Sequence, residues 1–421
     1  MLEFEISSAT VTKDLPSTKL VVVGVGGAGN NTINALINHG TCDYTCIAVN
    51  TDVQALDISR ATHRVRIGLQ TTKGRGAGAD PILGKVAAEE DLQQIIDIIH
   101  DADLVFLVGG LGGGTGSGAL PVIARALKEL GIVNICIVTK PFSFEGKRRM
   151  IIADQAIALL RDSVDTLITI PNEKLLHANQ EEALSFVAAC DLINNVINDY
   201  VRSIGDIITK PGYMNVDFAD VKTVIKGQGS ALMGSARAEG PDRALKAAHA
   251  AITSPFLDTT TIRGARGILV NISANHTLSL QEVQQAASRI TEDCDEHANV
   301  IIGSVIDESL GNVLSVSVIA TGFEQVTNQP RTAGEPRYAF NSRSTGASDI
   351  KSSYATSPSS TTSTSAAKDT SSAPLAKEHS LRDMLPALEK RLKDQYQPSL
   401  EELDTPSFLR KLSKESSSMK E

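Results

Sequence analysis

Between Lys19 and about Lys210, the short runs LVVVG, TCIAVN, ADLVFLV, IVNICIV and TLITI are apolar almost throughout and alternate with longer stretches of helical period. A strand with one wet face alternates apolar and polar residues, whereas a strand covered on both faces does not. The pattern therefore predicts an α/β domain built around a parallel sheet. From Glu181 to Ile208, apolar residues recur every four positions at Leu184, Ala188, Leu192, Val196, Tyr200 and Ile204, with Val187, Ile193, Ile197 and Val201 beside them. That stripe predicts a long, largely buried helix, stopped by Lys210-Pro211-Gly212.

Further along, SALMGSARAEG, GARGILVNISA, NVIIGSVID and NVLSVSVIATG read as strands, with helical stretches at Asp242 to Thr253 and Leu280 to Asp293. They predict a second, smaller α/β domain. After Phe323, Ser, Thr, Pro, Ala and Lys dominate, with too few large apolar groups to offset the entropy of ordering. The expected organisation is a flexible segment at 1–17, a first domain at 18–180, a central helix at 181–210, a loop and helix at 211–228, a second domain at 229–322 and a disordered linker at 323–380. Leu381, Leu385, Leu388 and Leu392 then share one face of a possible amphipathic helix at 381–396, interrupted by Pro386. At 404–414, Thr405 as N-cap and Pro406 at the first helical position present Phe408, Leu409 and Leu412 beside Arg410, Lys411 and Lys414. Such a tethered apolar and cationic peptide suits capture by a partner's groove.

Composition narrows the function. Apolar residues make up 42% of the 421, and with 32 glycines they reach the globular average, which excludes wholesale disorder. A net charge of −9 argues against nucleic acid as a general partner. The five cysteines are odd in number and mostly scattered, which suits reduced thiols in a cytosol. The first residues, MLEFEISSATVTKD, do not read as a signal peptide, and no apolar run is long enough to span a bilayer, so a soluble cytoplasmic chain is expected. The eight histidines form no i, i+3 or i, i+4 pair, and Cys42 and Cys46 lack nearby partner ligands, so no protein-caged metal site is expected.

The candidate chemistry lies in glycines. Gly24-Val25-Gly26-Gly27-Ala28-Gly29-Asn30-Asn31 follows one predicted strand and opens a helix, where backbone N–H groups can meet an anion at the positive helix end. Taken alone this also fits a dinucleotide-binding fold, with Asn50 and Asp52 ending the next strand where a ribose-binding acid would sit. A second cluster, Leu111 to Gly118, repeats the arrangement after DLVFLVGG and adds the hydroxyls of Thr115 and Ser117. Two cradles on one sheet can hold different phosphates of one nucleotide, whereas a dehydrogenase needs one. A third loop, Gly74 to Pro81, either closes over a terminal phosphate or is a mobile surface loop. There is no GxxxxGK[ST], which excludes a P-loop enzyme.

Taken together, GVGGAGNN, NTD, GRGAGADP, GGGTGSG, KPFSFEGKRRM, ITIPNEKLL and NVDFADV, in this order and spacing, resemble the tubulin/FtsZ family of GTPases over about Thr18 to Gly322. The resemblance implies a Rossmann-like, parallel-sheet GTPase domain, a long central helix and a smaller α/β domain. It implies GTP-dependent, head-to-tail assembly into filaments for bacterial cell division, at a mid-cell ring on the inner face of the membrane. GTP would be hydrolysed between subunits, with Mg²⁺ held mainly by phosphates and water. A nucleotide-regulated scaffold with little catalysis is the alternative.

Carried over by the resemblance, Gly26, Gly27, Ala28, Gly29, Asn30 and Asn31 match one phosphate loop, and Gly113, Gly114, Thr115 and Gly116 the other. Glu145 and Arg149 match a pair reaching ribose and phosphates, Asn172 a ribose-side contact, and Asn194 the residue reading the guanine edge. Asn215, Asp217 and Asp220 match the loop that enters the neighbouring subunit. The last two stand three apart in an expected first helical turn, hence on one face, where a carboxylate from another subunit can orient the attacking water; Asp217 as a plain helix cap is the bland reading. The peptide at 404–414 resembles one that binds membrane anchors and regulators. The chain departs from the family pattern at Ala28, at Ser117 and at Cys190, which stands where a base-stacking Phe is usual and reads as a small buried hydrophobe.

Overall fold

The computed structural model describes residues 18–40, 44–174, 185–210, 212–255, 262 and 264–323. The segments expected at 1–17, 381–396 and 404–414, and the linker beyond Phe323, lie outside the described residues.

The strands are β1 (Leu20–Val25), β2 (Thr45–Asn50), β3 (His63–Arg66), β4 (Leu104–Gly110), β5 (Val133–Lys140), β6 (Thr166–Pro171), β7 (Gly229–Ala238), β8 (Gly267–Ala274), β9 (Asn299–Ile306) and β10 (Leu314–Thr321). The helices are α1 (Gly26–Asn38), α2 (Val53–Asp57), α3 (Pro81–Ile99), α4 (Thr115–Glu129), α5 (Lys147–Ser163), α6 (Phe186–Thr209), α7 (Phe218–Ile225), α8 (Arg243–Ile252) and α9 (Leu280–Thr291). All ten strands form one sheet in the order β3-β2-β1-β4-β5-β6-β7-β10-β8-β9. From β3 to β6 every pairing is parallel, as continuous apolar runs require. Strand β7 joins β6 through Thr166–Ile168 only, in parallel, and β10 then runs antiparallel between β7 and β8. The two predicted α/β regions therefore share one sheet, narrowed at the β6–β7 junction.

Strand β3, HRVR, is absent from the sequence-based expectation for a physical reason. It is an edge strand in which Val65 alone is buried, so it carries no apolar run. The central helix α6 is capped by Ser185, whose side chain accepts from the Ala188 N–H at 3.1 Å. It buries Ile193, Ile197, Tyr200, Val201 and Ile204 against the sheet. The Tyr200 hydroxyl donates to the Met233 carbonyl at 2.6 Å, tying the helix to β7. The first turn departs from the predicted stripe: Val187 is 68% exposed and Phe186 67%. Among the described residues, no helix is long and apolar enough to cross a membrane.

The strand order positions the site. Strand β1 lies between β2 and β4, so the chain turns off in opposite directions from its two neighbours. The crevice beyond the carboxyl ends of β1 and β4 is the switch point where open α/β sheets bind ligands. One face of the sheet carries α1, α6 and α7, and the other carries α3, α4 and α5.

Candidate functional site

Both glycine clusters lie at that switch point. Helix α1 begins at Gly26 directly after β1, so the glycines form its first turn and not a loop ahead of it. Helix α4 begins at Thr115 after Gly114. Neither N-terminus has a side-chain cap or an acid in its first turn. Five other helices, α2, α3, α6, α7 and α9, are capped by Asp52, Asp80, Ser185, Asp217 and Ser279, whereas α5 and α8 are uncapped like α1 and α4; what distinguishes α1 and α4 is that their uncapped starts are glycine-lined and lie at the switch point. An uncapped helix start leaves backbone N–H groups available to an anion, in the favourable field of the dipole.

The glycines divide into two roles. A Cβ at Gly29 would lie 2.6 Å from the Val108 carbonyl oxygen, at Gly116 2.3 Å from that of Gly110, and at Gly118 2.1 Å from that of Pro81. These positions, with Gly114 against Ala77 and Asp80, let strand, loop and helix interlock. At Gly27 and Gly113 a Cβ would meet nothing within 4 Å, so these two border open space. Gly26, with φ +74°, makes the turn from strand into helix.

Several predicted residues prove to shape the crevice rather than face it. Asn30 is buried; with its amide oriented to satisfy both ends, Nδ2 donates to the Gly24 and Gly26 carbonyls at 3.2 Å and Oδ1 accepts from Asn50 at 3.3 Å. Ser117, expected to donate a hydroxyl, is buried and accepts from the Gly112 N–H at 2.9 Å, closing the second loop. The Thr115 hydroxyl shares a 2.7 Å hydrogen bond with that of Thr51, a fully buried residue whose involvement spans 64 positions. Ala28 and Asn31 are exposed at the crevice side of α1. The third loop is pinned: Gly76 N–H donates to Thr51 O at 3.2 Å, the backbones of Arg75 and Asp52 form an antiparallel β-bridge, and Ala77 is buried under Gly114. Asp52 caps α2 through the Gln54 N–H at 3.0 Å, which occupies the acid that a dinucleotide-binding reading needs.

On the opposite wall, Glu145 accepts from the Phe142 N–H at 3.0 Å and pairs with Arg149 one turn later. Asn172 is buried, yet its Oδ1 has no hydrogen-bond partner, an orphan that a ligand donor would satisfy. Asn194 accepts from the Thr32 hydroxyl at 3.1 Å, joining α6 to α1. Cys190 is half-buried and not part of the core. Burial, followed by the charges of Asp191 and Glu145, pushes its thiol above the usual range, so it stays protonated.

The predicted acids are elsewhere. Asp217 lies just outside α7 and caps it, its Oδ1 accepting from the Asp220 N–H at 2.9 Å. Asn215 Oδ1 accepts from the Gly212 N–H at 2.8 Å. All three side chains are exposed. The loop beneath them is fixed to β9 by Met214 N–H donating to Ser304 Oγ at 3.0 Å and Ser304 N–H donating to Met214 O at 3.1 Å. This loop follows the last turn of α6, whereas Cys190 and Asn194 near its start border the crevice. A helix of 24 residues rises about 36 Å. One molecule therefore keeps the acids and the cradles at opposite ends of its central helix. Among the described residues, no three His, Cys, Asp or Glu side chains are placed to hold a metal.

Comparison with known proteins agrees with this geometry. Residues 19–180 match the model of the tubulin/FtsZ family GTPase domain, and residues 229–324 that of the FtsZ family C-terminal domain. The chain is 46% identical over 310 residues to cell division protein FtsZ of Bartonella bacilliformis. That match covers 74% of this chain and 52% of the Bartonella protein, about half the length of that relative. An empty FtsZ dimer from M. jannaschii superposes with a TM-score of 0.69 at 39% identity, covering 73% of this chain and 88% of that one. The GDP-bound monomer of CetZ1 from Haloferax volcanii gives 0.63 at 25% identity, covering 75% and 96%. With two uncapped glycine-lined helix starts at the switch point and both family models matched in order, the chain belongs to the tubulin/FtsZ family.

Proposed function

We propose that this chain binds GTP in the β1/β4 crevice, assembles head to tail into filaments and hydrolyses GTP at each junction, as a cytoskeletal element of bacterial cell division. The observation that carries the reading is the division of the site between two ends of one helix. Backbone donors lie at one end, and exposed acids on a clamped loop lie at the other. In a heterologous, non-closing contact, one subunit's Asp217 and Asp220 would meet the next subunit's cradle.

In this reading the N–H groups opening α1 and α4, around Gly27 and Gly113, grip the phosphates, and Arg149 donates to them with its planar fork. Asn172 meets the ribose with its orphan oxygen. Asn194 faces the base, and Asn31 belongs to the phosphate loop. Phe186, exposed one turn before Cys190 on the same helix face, offers the ring that Cys190 does not. Mg²⁺, when bound with the nucleotide, would be held mainly by phosphate and water and would supply charge neutralisation there. The entering carboxylates orient the attacking water. The peptide at 404–414 tethers the polymer to membrane anchors at the division site.

One observation favours a second reading, a scaffold with little turnover: Asp217 already has a structural task as a cap. Phosphate release measured against protein concentration separates the two. A shared site gives specific activity that climbs steeply with concentration and collapses in Asp220→Ala while GTP binding is kept; activity independent of concentration contradicts it.

A further inference from the structure

The loop that carries Asn215, Asp217 and Asp220 toward its exposed end meets β9 at two places. The first is the Met214–Ser304 bridge, beside which Gly212 passes so closely that a Cβ on it would overlap the Ser304 carbonyl oxygen. The second is ionic and lies at the exit from α6. Lys210 is the C-cap residue of that helix, already extended at φ −93° and ψ 139°, while its N–H still donates to the Asp206 carbonyl at 2.8 Å. Its Nζ lies 2.9 Å from Asp206 Oδ2 and 3.9 Å from Oδ2 of Asp307, the residue that follows β9.

The two attachments agree in register. Met214 and Ser304 pair antiparallel, so moving forward along β9 from Ser304 to Asp307 means moving back along the loop from Met214 toward Lys210. One bridge leaves the register of two segments weakly specified, and a slip of one residue turns every side chain to the opposite side. A second contact at the far end removes that freedom.

Joining α6 to β9 does not by itself need Lys210. Arg202 lies 4.0 Å from Asp206 and 3.3 Å from Asp307, so it spans the same two carboxylates, and the Tyr44 hydroxyl donates to Asp206 Oδ1 at 3.0 Å. The two carboxylates are only 9% and 13% exposed, so these contacts are screened less than surface ion pairs. What Lys210 adds is its place in the chain. Arg202 sits about two turns back within the helix, whereas the backbone of Lys210 itself leads into the loop.

We propose that Lys210 is a positioning residue for GTP hydrolysis: its ammonium, held between Asp206 and Asp307, fixes the register in which the acid-bearing loop lies on β9. Asp217 and Asp220 then point away from the molecule at the angle that suits the next subunit's cradle. This inference rests on the shared site proposed above and names the group that aims its acidic half.

The test compares GTP affinity, phosphate release and mixing behaviour of variants of the full chain. Lys210→Met keeps an unbranched stem and loses the charge. Lys210→Gln retains an amide donor for Asp206 and decides the matter should the Met variant not fold. Each is expected to bind GTP within about twofold of the parent in equilibrium dialysis and to release phosphate about fivefold more slowly or worse. Lys210→Arg, whose guanidinium can meet both carboxylates, restores at least about half of the parent rate. Mixing assigns the defect to one end of the molecule. With Gly113→Asp, whose cradle is blocked and whose acid end is intact, the Lys210 variant recovers toward about a quarter of the parent rate; with Asp220→Ala, which lacks the acid, it does not recover. A chain that is merely poorly folded is rescued by neither. Parent-like phosphate release, weakened GTP binding, rescue by Asp220→Ala or no rescue by Gly113→Asp would each overturn the proposal. The mixture of Asp220→Ala with Gly113→Asp is the control. Its recovery upholds the shared site whatever Lys210 does, and its silence overturns the shared site and this role of Lys210 together.

Discussion

Asp217 combines two properties that substitution can separate. Asn caps a helix about as well as Asp, whereas Ala loses the cap at a cost of about 1 kcal/mol. Asp217→Asn therefore keeps the melting temperature of the parent chain and Asp217→Ala lowers it, and under the proposed reading, in which the entering carboxylate orients the attacking water, both reduce GTP turnover. Undiminished phosphate release from Asp217→Asn would leave this residue with its capping role alone. The glycines separate in the same way. Gly116→Ala places a Cβ 2.3 Å from the Gly110 carbonyl oxygen and destabilises the fold, whereas Gly113→Ala meets nothing in the protein. The Gly113 variant keeps its melting temperature and binds GTP more weakly in equilibrium dialysis; unchanged affinity would mean that Gly113 does not border the phosphates.

The same scale shows how far residues can be read without a structure. Glycine-rich junctions were legible because glycine is costly at a helix start and demands a reason. Which glycines serve packing and which face the ligand was not, since Gly29 against Val108 and Gly116 against Gly110 are tertiary approaches. Asn30 looked like a ligand contact because it stands in the motif, yet its side chain holds the loop's own carbonyls. Thr51 was missed as a partner of Thr115 because nothing local links positions so far apart.

At the scale of elements, the apolar runs gave the inner strands directly, and the four-residue stripe gave α6. The edge strand β3 carried no such signal. The single sheet running through both halves was also invisible, because the β6–β7 pairing is only three residues long. The mixed half of the sheet, from β7 to β9, contains its own electrostatic lock. Arg243 of α8 donates from Nε to Glu282 Oε1 at 2.6 Å, and Glu282 also closes a capping box with Ser279. The hydrogen bond from Arg243 is the largest influence holding the Glu282 carboxyl below its ordinary range. A depressed carboxylate contributes stability above its unfolded value, near 4.3, and loses it as the pH falls through the folded value. The parent chain therefore loses more stability on acidification below about pH 4.3 than Glu282→Gln does. Parallel acid unfolding curves for the two would contradict that role. Tyr200→Phe leaves the Met233 carbonyl without its donor and costs about 1–3 kcal/mol, read from denaturant midpoints; an unchanged midpoint would mean that this hydrogen bond does not anchor α6 to β7.

The whole molecule has two unlike ends joined by α6, a polarity that neither end shows separately. The cradle end is pre-formed by interlocked glycines and the acid end is clamped to β9, so the proposed head-to-tail assembly would dock two ready surfaces with no folding step. The sequence contained both ends as motifs, but their separation emerges only from the length and direction of the helix between them. That separation is why a lone molecule is expected to hold GTP without consuming it.

Mixing two defective chains measures this most directly. Asp220→Ala retains its cradle and lacks the entering acid; Gly113→Asp retains the acid and opposes the phosphates with a negative charge. Each alone is expected to release almost no phosphate. In an equimolar mixture, random head-to-tail contacts give a complete site at about a quarter of junctions, and phosphate release recovers toward that fraction of the parent rate. A mixture no more active than the sum of its two components would contradict a site shared between neighbours.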